Sequence, residues 1–94
     1  MDLRETLEVE GYSCVRQLPN GVYIGVRRQL FTVGLFVGLD ETGYRYRYCY
    51  EWEKDALAAC AVWDGCGHPP GPWVKIKGDH PESERLGPGA ADVY

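Results

Sequence analysis

The sequence predicts an α+β fold: a four-stranded antiparallel meander sheet with one α-helix packed on one face, a Gly/Pro-rich loop and a flexible C-terminal tail. Three observations predict it. Period-two alternation runs through residues 12–50, broken by Pro19-Asn20-Gly21 and Asp40-Glu41-Thr42-Gly43, which are reversal signals. The period then becomes helical over residues 51–63. Ninety-four residues, 45% hydrophobic and with 12 aromatic rings, suffice for one core and not for two.

In chain order, Leu3 and Leu7 with Asp2 as a cap admit only a helical turn, too brief to count as an element. Residues 12–18 form the first strand, and the Pro19-Asn20-Gly21 turn folds it onto a second. There Val22, Ile24 and Val26 face one way and Tyr23, Gly25 and Arg27 the other. Arg27-Arg28-Gln29, without Gly or Pro, is read as a tight turn, with a bulge in one long bent strand as the alternative, and leads to a third, central strand over residues 29–39, with Phe31, Val33, Leu35, Val37 and Leu39 on one side. The fourth strand, residues 44–50, alternates tyrosines with arginines. Trp52, Ala56, Cys60 and Trp63 then form the apolar stripe of the helix, which Asp64-Gly65 ends, the glycine acting as a left-handed cap. The prolines of residues 66–72 exclude helix and inner strand, and residues 73–77 are able to add a short edge strand. One domain over residues 1–78 and a polar, partly disordered tail over 79–94 follow from this reading.

No basic segment followed by an apolar run opens the chain, and no window has the roughly 18 apolar residues of a membrane helix. A cytoplasmic location is therefore expected, where four cysteines are buried small hydrophobes or metal ligands rather than half-cystines. Cys49, Cys60, Cys66 and His68 are ligand types suited to zinc, but the C-x5-C-x-H spacing lacks the paired knuckles of structural zinc sites. Cys66 and His68, with Asp64 nearby, are the only local pairing of nucleophile and base, and adjacency in sequence does not supply catalytic geometry. Phosphate-loop, dinucleotide and nucleophile-elbow motifs are absent, so neither a cofactor nor an enzymatic activity is expected.

The arginines carry more information. By alternation, Arg16, Arg27, Arg45 and Arg47 project from the face opposite the helix, interleaved with Tyr12, Tyr23 and Phe36. Arg16, Tyr23, Arg27, Phe36, Arg45 and Arg47 are therefore the expected partner-binding residues, because arginines and aromatic rings dominate protein interfaces and also stack on single-stranded bases. The net charge of −4 opposes nucleic acid, since phosphate contacts need an excess of cations.

The run Trp63-Asp64-Gly65-Cys66-Gly67-His68-Pro69-Pro70-Gly71-Pro72-Trp73-Val74-Lys75-Ile76-Lys77-Gly78 resembles a signature of small uncharacterised phage and prophage proteins, W-D-G-x-G-x-P-P-G-x-W-I-K-x-K-G. Val74 stands where isoleucine is usual. Small acidic phage proteins without catalytic residues resemble inhibitors of host defence, including anti-CRISPR proteins. The resemblance implies a stoichiometric complex with a host protein or ribonucleoprotein effector in the host cytoplasm. A nucleic-acid-binding sheet module and a small structural-zinc protein are the alternative expectations. For the motif itself, Trp63 and Trp73 are expected to clamp the proline loop.

Overall fold

Strand follows strand across a single antiparallel sheet in the computed structural model, which describes residues 2–93. The elements are α1 (Leu3–Val9), β1 (Ser13–Gln17), β2 (Tyr23–Arg28), β3 (Val33–Val37), β4 (Tyr46–Tyr50), α2 (Glu53–Val62), β5 (Trp73–Gly78) and a 3-10 helix over Pro88–Val93. The sheet order is β1-β2-β3-β4-β5, so the α+β meander is present with five strands in place of the expected four and two α-helices in place of one. The fifth strand is the W-V-K-I-K-G run itself, with Tyr48 opposite Ile76 and Arg47 opposite Lys77. The additional helix exists because Asp2 accepts the Glu5 amide at 2.9 Å and Leu7 finds a buried seat.

Each sheet face has its own apolar cluster. Ile24, Val26, Leu35, Tyr48, Tyr50 and Ile76 pack against Ala56, Ala59 and Cys60 of α2 and against Trp63, which follows it. Leu7 of α1 packs on the other face with Tyr12, Val15, Phe36 and Leu39. Gly25 makes this second packing close: a Cβ there would lie 3.2 Å from Leu39 and 3.4 Å from Tyr12 and Val15.

Three local expectations are corrected. The third strand is shorter than its alternation, because Arg28 pairs with Val33 and the Gln29 amide closes on the Thr32 carbonyl at 2.7 Å. Leu30 and Phe31 thus sit on the hairpin tip, 86% and 88% exposed, not in a strand. Trp52 is 59% exposed rather than part of the helical stripe, since it is the extended residue preceding α2 and its side chain leaves the helical register. Gly65 does not cap α2. The helix ends on Trp63 in extended conformation, and Arg16 supplies the cap, its Nη1 donating to the carbonyls of Cys60 at 3.1 Å and Trp63 at 2.5 Å.

Residues 79–93 turn back along the outer edge of β5. The Glu84 amide donates to the Ile76 carbonyl, Ile76 to Arg85, and Gly87 to Val74, so the edge backbone of β5 is partnered. Gly87 and Gly89 are required by contact, because a Cβ on either would lie 2.2–2.3 Å from Trp73 or the Pro72 carbonyl.

Candidate partner-binding face

The face opposite α2 is only half covered by α1. Register builds what remains from two cross-strand rows. One row is Arg27, Gly34, Cys49 and Lys75; the other is Gly25, Phe36, Arg47 and Lys77. The β1 end of these rows lies under α1, whereas the β4–β5 end is open. Arg47, Lys75 and Lys77 therefore form a cationic cluster on the uncovered half.

Between this cluster and the β2–β3 hairpin tip lies a groove of about 430 Å3. Leu30, Phe31 and Val74 form its apolar walls, and Cys49, 4% exposed, lies at its base. Arg47 is held by its own side of the groove: Nη1 donates to the Tyr44 hydroxyl at 2.5 Å, and the guanidinium lies 6.0 Å from the Phe36 ring centroid and 5.8 Å from that of Tyr44. Its Nε is buried with no acceptor among the described residues. Glu84 of the returning chain reaches the cluster, its carboxylate 3.0 Å from Lys75 Nζ. The hydrogen bond and charge of Lys75, followed by the charges of Lys77 and Arg47, hold the Glu84 carboxyl below the usual carboxylate range.

The six expected site residues are divided by the structure. Arg47 lines the groove, and Arg27 is exposed on the same face, 5.4 Å from the Tyr12 centroid. Arg16 is on the opposite face, beside α2, which corrects its assignment to the open one. A bulge is the cause: Ser13 pairs with Val26 and Arg16 with Ile24, so Cys14 and Val15 together oppose Gly25, with Cys14 at φ +53°. Phe36 is on the expected face but only 2% exposed, edge-on between Tyr12 and Tyr44, and so is packed rather than presented. Tyr23 is half-buried against the same cluster, and Arg45 is exposed beside Gly38, just before β4. Lys75, Lys77, Leu30 and Phe31 were not among the expected residues. Alternation in W-V-K-I-K, read as a strand paired to the fourth, carries the signal for the lysines.

The zinc candidates do not converge. Cys49 lies on the open face, Cys60 under α2 on the other, and Cys66 is exposed on the loop. Among the described residues no group of three or more His, Cys, Asp or Glu is placed to hold a metal ion.

A second constellation joins the proline loop to the tail. Tyr48 Oη lies 2.9 Å from His68 Nδ1, and His68 Nε2 lies 3.0 Å from Glu82, which also pairs with Arg85. Burial pushes the Tyr48 phenol up, so the hydroxyl keeps the proton it shares with His68 Nδ1. Both ring nitrogens are thus engaged away from Cys66, whose amide instead donates to Asp64 at 2.9 Å. Tyr50 donates to the Pro70 carbonyl at 2.6 Å and Trp63 Nε1 to that of Cys66 at 3.2 Å. Three aromatic donors from the core therefore clamp this loop. Trp63 and Trp73 flank Tyr48, their ring centroids 5.8 and 5.2 Å from it.

No helix among the described residues is long and apolar enough to cross a membrane. Comparison with protein-family models, with curated proteins and with solved structures gave no match.

Proposed function

We propose that this chain is a non-enzymatic binding protein that captures an acidic surface of a partner protein on its open sheet face. The observation carrying this reading is the pairing of Arg47, Lys75 and Lys77 with the exposed Leu30 and Phe31 across one groove. Exposed bulky side chains beside a half-buried arginine are the composition of interface anchors. The phage-like signature of residues 63–78 supports a host defence complex as the partner, blocked by occupation of its surface.

Charge supports a protein partner over a nucleic acid. The net charge is −4, and Glu84 already sits on Lys75, so a phosphodiester chain meets carboxylates as well as cations. The test is made in cells with an active CRISPR system challenged by a targeted phage. The wild-type chain restores plaque formation, and the double variant R47E/K77E, shown to be folded by its thermal transition, does not. Restoration by neither protein, or equally by both, removes the reading.

A further inference from the structure

Lys75, one of the cations lining the groove, is paired with a carboxylate of the chain itself, Glu84, and that contact points to what else the groove accepts. Resting on the open-face reading above, we infer that the groove binds an extended acidic peptide segment of the partner, one carboxylate on Arg47 and Lys77 and one bulky apolar side chain against Leu30 and Phe31, and that Glu84 is its intramolecular competitor.

Four observations converge on this assignment. The groove, about 430 Å3, lies in the range of roughly 300–1,000 Å3 typical of ligand sites, and its walls are apolar on one side and cationic on the other. Lys77 makes no ion pair among the described residues, whereas Lys75 pairs with Glu84. The Nε–H of Arg47 is buried without an acceptor among the described residues, so this guanidinium beside the groove has unmet donor capacity. Glu84 is exposed, so its pair with Lys75 is of the weak surface type and yields readily to a ligand that brings apolar burial as well.

A peptide fits these features better than an oligonucleotide. Among the described residues the groove has three cations and no row of stacked aromatic platforms, Phe31 being the only aromatic one that lines it. A peptide whose side chains alternate between carboxylate and apolar groups matches both walls at once.

The competitor role follows from position. Glu84 belongs to the segment that runs antiparallel to β5, with its amide on the Ile76 carbonyl. Its backbone is fixed by the fold, and only its side chain has to leave Lys75 for the site to open. Removing its charge therefore raises affinity without altering the groove.

The experiment measures fluorescence anisotropy with a labelled hexapeptide of alternating glutamate and phenylalanine, its glutamine counterpart, and a ten-nucleotide oligothymidylate. Wild-type protein is expected to bind the glutamate peptide about tenfold more tightly than the glutamine peptide. K77E and the double variant L30S/F31S each weaken it by about tenfold, and E84Q tightens it about threefold, an effect that shrinks with added salt. Equal binding of the two peptides, no binding of either, or tighter binding of oligothymidylate overturns the inference. Unchanged affinity in E84Q overturns the competitor role. The open-face reading itself falls on the plaque assay, if neither protein restores plaques or both restore them equally, so the two failures are told apart.

Discussion

Arg16 and Cys60 lie 44 residues apart, yet the guanidinium of the first donates to the carbonyl of the second at 3.1 Å and to that of Trp63 at 2.5 Å. An α-helix ends with carbonyls that lack partners and with a partial negative charge; a cation from β1 answers both. R16M keeps the aliphatic stem and removes the donors. It is expected to lower stability by about 1.5–3 kcal/mol, the value of hydrogen bonds to a charged group, measured by urea denaturation. A loss below about 0.5 kcal/mol would mean that water serves those carbonyls equally well.

Removing the hydroxyls of Tyr48 and Tyr50 tests the clamp on the proline loop. Y48F removes the hydroxyl that pairs with His68 Nδ1 and Y50F strips the Pro70 carbonyl of its donor, so each costs about 1–2 kcal/mol. The Cys66 amide, bonded to Asp64, should exchange faster in both variants while the amides of β2 and β3 keep their protection. Uniform loss across the sheet would instead mark a core defect.

Alkaline pH acts on the same residues. Burial raises the phenols of Tyr48 and Tyr50 and the thiol of Cys60. Each raised group holds its proton more firmly in the folded chain than in the unfolded one. Their contribution is complete below the unfolded values, about 8.5 for cysteine and about 10 for tyrosine, and is lost as pH climbs above them. The denaturation midpoint should therefore fall from pH 8.5 upward, more steeply beyond pH 10, and the double variant Y48F/Y50F should flatten the second part.

Acid acts on the returning segment. The Glu82 carboxyl is held below its ordinary range, first by the Arg85 hydrogen bond and then by the charges of Arg85, His68 and His80. A lowered carboxyl stabilises the fold above its unfolded value, about 4.3, and that support fades as pH falls through the lower folded one. Corrected for intrinsic rates, the amides of Ile76 and Gly87, which tie β5 to residues 85 and 87, should exchange faster under acid and in E82Q at neutral pH.

Legibility in the sequence followed the range of the forces involved. The fourth strand was readable because Tyr46, Tyr48 and Tyr50 alternate with Arg47 and Cys49, and the second helix because Ala56, Cys60 and Trp63 recur at helical spacing. The bulge at Cys14 and Val15 has no glycine to announce it; it arises where Val15 must reach the cluster under α1 while Arg16 reaches α2. The hairpin tip at residues 29–32 likewise lacks Gly and Pro, and its Leu30 and Phe31 imitate strand alternation. Of the open face, alternation placed Arg27 and Arg47. The lysines that complete it depend on a strand pairing between residues 46–50 and 73–78, which no local pattern specifies.

The four cysteines sort by environment, and their reactivity should follow. Cys66 is exposed on the loop, Cys14 is half-buried at the bulge, and Cys49 and Cys60 are buried on opposite faces of the sheet. The nucleophile is the thiolate, so Cys60 is protected twice, by its closed surroundings and by a thiol that burial raises, with the hydrogen-bonding influence of Cys14 adding to that rise and Arg16 opposing it. Its Sγ donates to the Cys14 carbonyl at 3.2 Å, a bond that favours the protonated form. Timed alkylation of the native chain, mapped by peptide mass spectrometry, should label Cys66 first and Cys14 more slowly. Cys49 is expected to react before Cys60, because opening its cover requires only displacement of side chains around the groove, whereas Cys60 requires α2 to leave the sheet. R16M, by loosening the end of α2, should accelerate labelling of Cys60 and leave Cys49 at its wild-type rate. Equal acceleration at both would show that the two faces open together as one unit.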